Sequence, residues 1–291
     1  MISIVFIINP ISGGRNKKVI ERSIGRSFSD KVYRSKILYT LFPGHAFDLA
    51  LSEMKLGADI IVAVGGDGTI NEIGRAVMFS ETRLAIIPVG SGNGFARHYN
   101  IPLSINRAIQ KILNGKEIYS DVGFINGKAF FCTSGIGFDA ELAMVFNQMK
   151  TRGFLSYLYS FIKVYTNYHP VKYKIVFDDE EFENEAFFIN IANISGFGYH
   201  FKIAPGASTS DGYLNLVIVQ NFPKWKGIFL AFYSFLGIID KSKYVFHKKV
   251  KNVKIKIRNK VNTIHIDGDS DSVSETEFEY IVKNKALRLI I

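Results

Sequence analysis

The chain has 291 residues, 47% of them hydrophobic and 21% charged, with a formal net charge of +10. That length holds one large domain or two ordinary ones, and the composition excludes disordered and fibrous classes. A single cysteine, Cys132, excludes an intrachain disulfide, and nothing points to an oxidising compartment.

The first predicted element is a buried strand over Ile2–Ile8. A secretory signal fits less well, because no basic segment precedes the short apolar run and no small-residue cleavage site follows it before Asn9-Pro10. Strands are then predicted at Ser35–Thr40, Ile60–Val64 and Leu84–Pro88, with helical stretches near Lys17–Phe28, Ala46–Met54 and Ile70–Phe79. This alternation is the pattern of a parallel α/β sheet. From about Val122 the texture changes to alternating strands at Lys128–Thr133, Lys172–Phe177, Glu185–Asn193, Tyr213–Val219, Lys251–Ile257 and Thr263–Asp267, a largely antiparallel β domain. Two aromatic-rich helical stretches interrupt it, Phe154–Thr166 and Trp225–Ile239. The expected domains are 1–121 and 122–283, with the apolar run at about 284–291 returning to the first. The longest apolar stretch is short for a membrane span of about 20 residues.

Three glycine-rich loops follow predicted strands, and a parallel sheet brings all three to its carboxyl edge, where ligands of open α/β sheets bind. Gly65-Gly66-Asp67-Gly68-Thr69-Ile70-Asn71-Glu72 opens a helix. Its glycines let backbone N–H groups approach phosphate oxygens, and the helix N-terminus favours an anion. Asp67 is placed to bind magnesium or orient phosphates; the plain alternative is a tight turn or helix cap. The loop is neither a Walker A loop nor a G-x-G-x-x-G fingerprint. Gly90-Ser91-Gly92-Asn93-Gly94 offers small donors, and Arg97 one turn later faces either an anion or solvent. Asn9-Pro10-Ile11-Ser12-Gly13-Gly14-Arg15 would close the site from the first strand, or is a simple connection. Late in the chain, Asp267-Gly268 between strand-like segments is a strong hairpin signal.

These loops, in this order, resemble the catalytic domain of the diacylglycerol kinase family, which includes bacterial lipid kinases and sphingosine kinases. Tyr39-Thr40 with Gly44-His45-Ala46, the stretch Ala204-Pro205-Gly206-Ala207-Ser208-Thr209-Ser210-Asp211-Gly212-Tyr213-Leu214, and Ile266-Asp267-Gly268-Asp269 extend the resemblance to the C-terminal apolar run. The resemblance implies a Rossmann-like α/β domain, a C-terminal β-sandwich domain and an ATP cleft between them. It places nucleotide contacts at Asn9, Pro10, Ile11, Ser12, Gly13, Thr40, Gly65, Gly66, Asp67, Gly68, Thr69, Ile70, Asn71 and Ser91, with Glu72 in support. Asp67 would act with Mg²⁺ on the phosphates, and the general base maps onto Asp267 and Asp269. A structural Mg²⁺ would take the Asp211 carboxylate and the carbonyls of Ser208 and Tyr213; hard oxygen ligands suit it. Two residues depart from the family pattern. Asp269 stands where the family has glutamate, and Gly94 stands where many diacylglycerol kinases have aspartate, which makes that loop more like sphingosine kinases.

The resemblance implies transfer of the ATP γ-phosphate to a lipid hydroxyl, with bacterial relatives suggesting a homodimer. The low cysteine content and the lack of a signal pattern fit a cytoplasmic protein that visits the inner membrane surface. The positive charge suits anionic lipid, nucleotide phosphate or nucleic acid alike, but no zinc-finger spacing, basic arm or RNP pattern supports the last. Phe154–Thr166 and Lys224–Ile239 suit a membrane interface or acyl pocket, or else are helices buried on a sheet. The histidines, among them His98, His200 and His265, show no metal-ligand spacing and read as structural or surface residues. The rivals are an NAD kinase-like enzyme, which shares Gly-Gly-Asp-Gly-Thr, and a catalytically impaired nucleotide- or lipid-binding regulator.

Overall fold

The structure is a computed structural model describing residues 1–14, 17–29, 32–149, 153–178, 180–198, 201–258 and 263–291. Arg15 and His200, named above, lie outside the described residues. The chain forms two compact units, Met1–Ser120 with Lys285–Ile291, and Asp121–Asn284.

In chain order the first unit holds β1 (Ile2–Ile8), α1 (Lys17–Ser27), β2 (Tyr33–Tyr39), α2 (His45–Lys55), β3 (Ile60–Gly65) and α3 (Asp67–Val77). It continues with β4 (Arg83–Pro88), α4 (Gly94–His98) and α5 (Ile105–Asn114). β5 (Glu117–Ile125) leads into the second unit, which holds β6 (Lys128–Phe130), β7 (Thr133–Gly137), α6 (Phe138–Asn147), α7 (Phe154–Asn167) and β8 (Val171–Phe177). There follow β9 (Glu180–Ala192), β10 (Gly196–Gly198), β11 (Phe201–Lys202), β12 (Leu214–Gln220), α8 (Gly227–Leu236) and β13 (Val245–Val250). The chain ends with β14 (Asn252–Ile257), β15 (Thr263–Ile266), β16 (Asp269–Ser272) and β17 (Glu277–Ile290), whose last residues belong to the first unit.

The first unit is a parallel sheet in the order β2-β1-β3-β4-β17. All of β3 and Ile4–Ile8 of β1 are buried, as strands covered by helices on both faces must be. The register sets the strand ends level: Ile8 lies opposite both Tyr39 and Val64, and Gly65 lies opposite Pro88. Because β2 lies on one side of β1 and β3 on the other, strand order reverses there. A crevice forms at such a switch point, at the carboxyl ends of the strands.

The second unit is a β-sandwich of antiparallel pairs with β9 as its hub. Glu180–Ala186 of β9 pair with β8, while Phe188–Ala192 pair with both β7 and β12. β14 alternates exposed and buried along its length, so Val253, Ile255 and Ile257 point into a core with Tyr173, Ile191, Leu216, Phe278 and Tyr280. A second cluster, with Phe138 and Leu142 of α6, Val164 of α7 and Leu230 of α8, joins the three helices to Phe187 and Val219 of the sheet.

Predicted strand Lys128–Thr133 is instead two strands broken at Phe131-Cys132. The break has a cause: the amides at that corner are drawn to a carboxylate from the far end of the chain, described below.

Candidate active site

In the first unit the three glycine loops meet at the level strand ends. Backbone packs on backbone so closely that side chains are excluded. A Cβ on Gly13, whose φ is +60°, would lie 1.9 Å from the Val89 carbonyl oxygen, and one on Gly90 would lie 2.6 Å from the Gly66 Cα. These glycines are therefore required by close approach.

Polar side chains fasten the loops together. Asn9 accepts the Ile11 N–H on Oδ1 (3.1 Å) and donates from Nδ2 to Thr69 Oγ1 (3.2 Å), linking the first loop to the second. Asp67 links the second to the third: Oδ2 accepts from Gly94 N–H and Oδ1 from Phe95 N–H, both at 3.0 Å. Burial pushes the Asp67 carboxyl above the usual carboxylate range, and those N–H groups act against the shift. Asn93, in the left-handed region at φ +52°, donates to the Gly90 carbonyl (2.7 Å) while its Oδ1 is buried with no protein partner. Arg97 Nε donates to the Gly92 carbonyl at 3.0 Å, so its side chain is part of the loop.

Thr40 is buried at the end of β2, its N–H donating to Ile8. Pro10, Ile11 and Ser91 are exposed, and Ser12 is half-buried. Lys17 donates to the Ser12 carbonyl. Glu72 points elsewhere: its two oxygens accept the Gly44 and Ala46 N–H groups at 3.0 and 2.9 Å, anchoring the start of α2. Ile70 is buried in the core, with its N–H donating to Gly66.

This arrangement fits a nucleotide. The eleven-residue α3 follows the capping residue Gly66 without a side-chain cap, so the N–H groups of its first turn, which opens directly from a glycine loop, favour phosphate. The orphaned Asn93 Oδ1 is an acceptor suited to a hydroxyl donor.

In the second unit β15 and β16 form a hairpin whose two-residue turn is Asp267-Gly268, at φ +52° and +87°. Asp-Gly is favoured in such turns because both central residues need positive φ. The carboxylate does more than turn the chain. Oδ1 accepts N–H groups from Phe131, Cys132 and Thr133 at 3.2, 2.6 and 3.1 Å, and Oδ2 accepts Phe131 again at 2.9 Å. Asp269 follows with its side chain exposed. α6 holds the same hairpin through Asn147 Nδ2, donating to the Gly268 carbonyl (3.2 Å), and Asp139 Oδ2, 3.1 Å from His265 Nε2. Buried Asn190 donates to Asp139 at 2.9 Å.

Asp139, His265 and Asn190 are not visible as a site in the sequence, since they lie on three separate elements. His265 was the nearest signal, two residues before Asp267.

The loop expected to hold a structural metal is tied to neighbouring strands by protein groups. Asp211 Oδ1 accepts the Tyr213 N–H (3.1 Å) and Oδ2 meets Lys249 Nζ at 2.6 Å. Asp121, unnoticed in the sequence, accepts the Gly212 N–H at 2.7 Å. Among the described residues no three His, Cys, Asp or Glu side chains cluster as a metal site. A divalent ion bound at Asp211 would have to displace the Lys249 ammonium from its carboxylate.

Comparison with known proteins gives the family. Residues 3–125 match the model of the diacylglycerol kinase catalytic domain, and residues 133–291 match that of the YegS C-terminal NAD kinase beta sandwich-like domain. A protein named diacylglycerol kinase from Bacillus subtilis is 29% identical over 277 residues, covering 94% of this chain and 91% of its own. A crystal structure described as a diacylglycerol kinase from Bacillus anthracis shares the fold, with a TM-score of 0.77, 22% identity, and 99% and 96% of the two chains covered. The fold extends more distantly to an NAD kinase from Archaeoglobus fulgidus in complex with ATP, with a TM-score of 0.55 at 12% identity over 99% and 93% of the chains. With both family models accounting for nearly the whole sequence, the chain belongs to the diacylglycerol kinase catalytic-domain family and is a phosphotransferase of the lipid kinase class.

Proposed function

We propose that the protein transfers the γ-phosphate of ATP, with Mg²⁺, to the hydroxyl of diacylglycerol or a closely related lipid. The observation that carries this reading is the meeting of three glycine-rich loops at the β1/β3 switch point, fastened to one another by Asn9 and Asp67. Mg-ATP supplies the transferable phosphoryl group with its charge partly neutralised. The chain's own groups position it. N–H groups at the start of α3 and in the Gly65–Gly68 turn hold phosphate oxygens, Asn93 Oδ1 takes a hydroxyl, and Asp67 keeps the second and third loops in one geometry.

Of the two late carboxylates, Asp269 is the better base. Its side chain is exposed, at the end of a hairpin that Asp267 sets by accepting three backbone N–H groups. In this reading Asp269 takes the proton of the acceptor hydroxyl, and its missing methylene relative to glutamate makes the step slower than in glutamate-bearing relatives.

No helix among the described residues is long and apolar enough to cross a membrane. A lipid acceptor is reached instead through the outer faces of α7 and α8, at the inner surface of the membrane. Leu155, Leu158, Tyr159 and Ile162 on α7, and Ile228, Phe229, Phe232, Phe235 and Leu236 on α8, are all exposed. They recur at helical spacing with Lys163, Lys224 and Lys226 beside them, as in an interfacial helix on anionic lipid.

The test is transfer of labelled γ-phosphate from Mg-ATP in mixed micelles containing diacylglycerol, sphingosine or phosphatidylglycerol, with NAD as a soluble acceptor. Labelled lipid is expected. Label on NAD alone, or ATP binding with no transfer to any acceptor, would overturn the assignment in favour of the NAD kinase-like or regulatory reading.

A further inference from the structure

We infer that Lys249 takes the place of a metal cation in the 204–213 loop, so that this loop is built to hold its shape without a divalent ion. The inference is independent of the substrate proposed above, because it concerns the folding of the second unit alone.

The argument begins with the carboxylate. Asp211 carries the only acidic side chain in the loop, and both its oxygens are engaged: one by the Tyr213 N–H, the other by Lys249 Nζ at 2.6 Å. A contact of that length is a charge-assisted hydrogen bond. It follows from strand register. Lys249 on β13 lies directly opposite Asn215 on β12, four residues after Asp211, so the pairing of the two strands delivers the ammonium to the loop.

Three further hydrogen bonds tie the loop to protein. Gly212 N–H donates to Asp121 at 2.7 Å, the Asp121 N–H donates to the Thr209 carbonyl, and Ser210 N–H donates to Ser208 Oγ at 3.3 Å. A second ammonium, Lys251 Nζ, lies 5.4 Å from the Tyr213 ring centroid.

A Mg²⁺ ion requires near-octahedral oxygen ligands and releases its waters reluctantly. Here it would have to displace the Lys249 ammonium from the one carboxylate that the loop itself carries. The ammonium already supplies what an ion would supply to this turn: a positive charge on Asp211 that joins the loop to β13.

Thermal unfolding of the nucleotide-free full chain tests this, in chelator and in millimolar MgCl2. The wild type is expected to melt at the same temperature in both. Lys249→Met is expected to lose about 2–4 °C in chelator, while Lys249→Arg, which keeps the charge, stays near wild type. Titration with Mn²⁺, counting the free ion, is expected to give the same stoichiometry for wild type and Asp211→Asn. One ion fewer per chain in Asp211→Asn, or a magnesium-dependent rise in wild-type melting temperature that Asp211→Asn abolishes, would overturn the inference. So would a Lys249→Met chain as stable as wild type in chelator. A rise that persists in Asp211→Asn places the ion elsewhere and leaves Lys249 as the cation of this loop.

Discussion

Asp67, Asp267 and Asp269 look alike in a sequence motif, but their surroundings give them different work. Asp67 and Asp267 accept backbone N–H groups from distant loops, so each removal leaves buried donors unmatched, at about 1–3 kcal/mol. Asp267→Ala should therefore lower both melting temperature and turnover, with Asp267→Asn milder because its amide oxygen still accepts. Asp269→Ala should abolish transfer with an unchanged melting temperature, and Asp269→Glu should raise kcat. Thermal scans beside the phosphotransfer assay separate these cases; full activity in a well-folded Asp269→Ala chain would remove it as the base.

His98 gives a pH prediction at the same scale. Burial lowers its pKa from 6.5 to about 4, so in the folded chain it stays neutral where the unfolded chain takes up a proton. Its contribution is complete above pH 6.5 and is lost as pH falls toward 4. Allowing for its residual exposure, the loss is on the order of 1–2 kcal/mol. Asp67, shifted upward, has the opposite sign and gains relative stability as pH falls. The difference between wild type and His98→Gln isolates the histidine: the variant should show a shallower decline in denaturant midpoint between pH 6.5 and 4.

At the scale of elements, what was legible was what has a local cause. The parallel strands announce themselves as continuous apolar runs, and the glycine loops announce themselves because close backbone approach admits no other residue. α6 was not legible: its N-cap is Gly137 at φ +104°, with no serine, threonine or aspartate to mark a start. β17 was seen only at its apolar end, because its first half alternates Glu277 and Glu279 outward, paired with Lys256 and Lys254 of β14. The charged half of β9 was missed for the same reason, with Glu181 and Glu183 matched to Lys174 and Arg258.

The helices α7 and α8 answer a choice the pattern left open. Their inner sides pack on the sheet through Val164 and Leu230, and their outer sides remain apolar. Ile228 is 74% exposed, and burying such a side chain in lipid is worth about 1.5–3 kcal/mol. Ile228→Asp and Phe232→Asp should each weaken partitioning onto lipid vesicles by roughly tenfold or more, since 1.4 kcal/mol is a factor of ten. Vesicle sedimentation measures it. Unchanged partitioning would turn attention to a second copy of the chain, read out by light scattering of the same variants.

At the scale of the whole molecule, two forces are available to bring a kinase to a lipid it cannot extract from water, and they respond differently to salt. The net charge of +10 attracts anionic lipid over a distance set by screening, about 8 Å at physiological ionic strength. Each lysine near the surface adds on the order of 1 kcal/mol. The apolar stripes act only on contact and are indifferent to salt. If both operate, binding to vesicles with anionic headgroups falls steeply as NaCl rises and then levels at a salt-resistant remainder, while binding to neutral vesicles begins at that remainder. Phe232→Asp should lower the plateau in both, and Lys224→Ala with Lys226→Ala should flatten the slope on anionic vesicles alone. A salt slope with no plateau would mean that the exposed rings of α8 never enter the bilayer and that charge alone places the enzyme at its substrate.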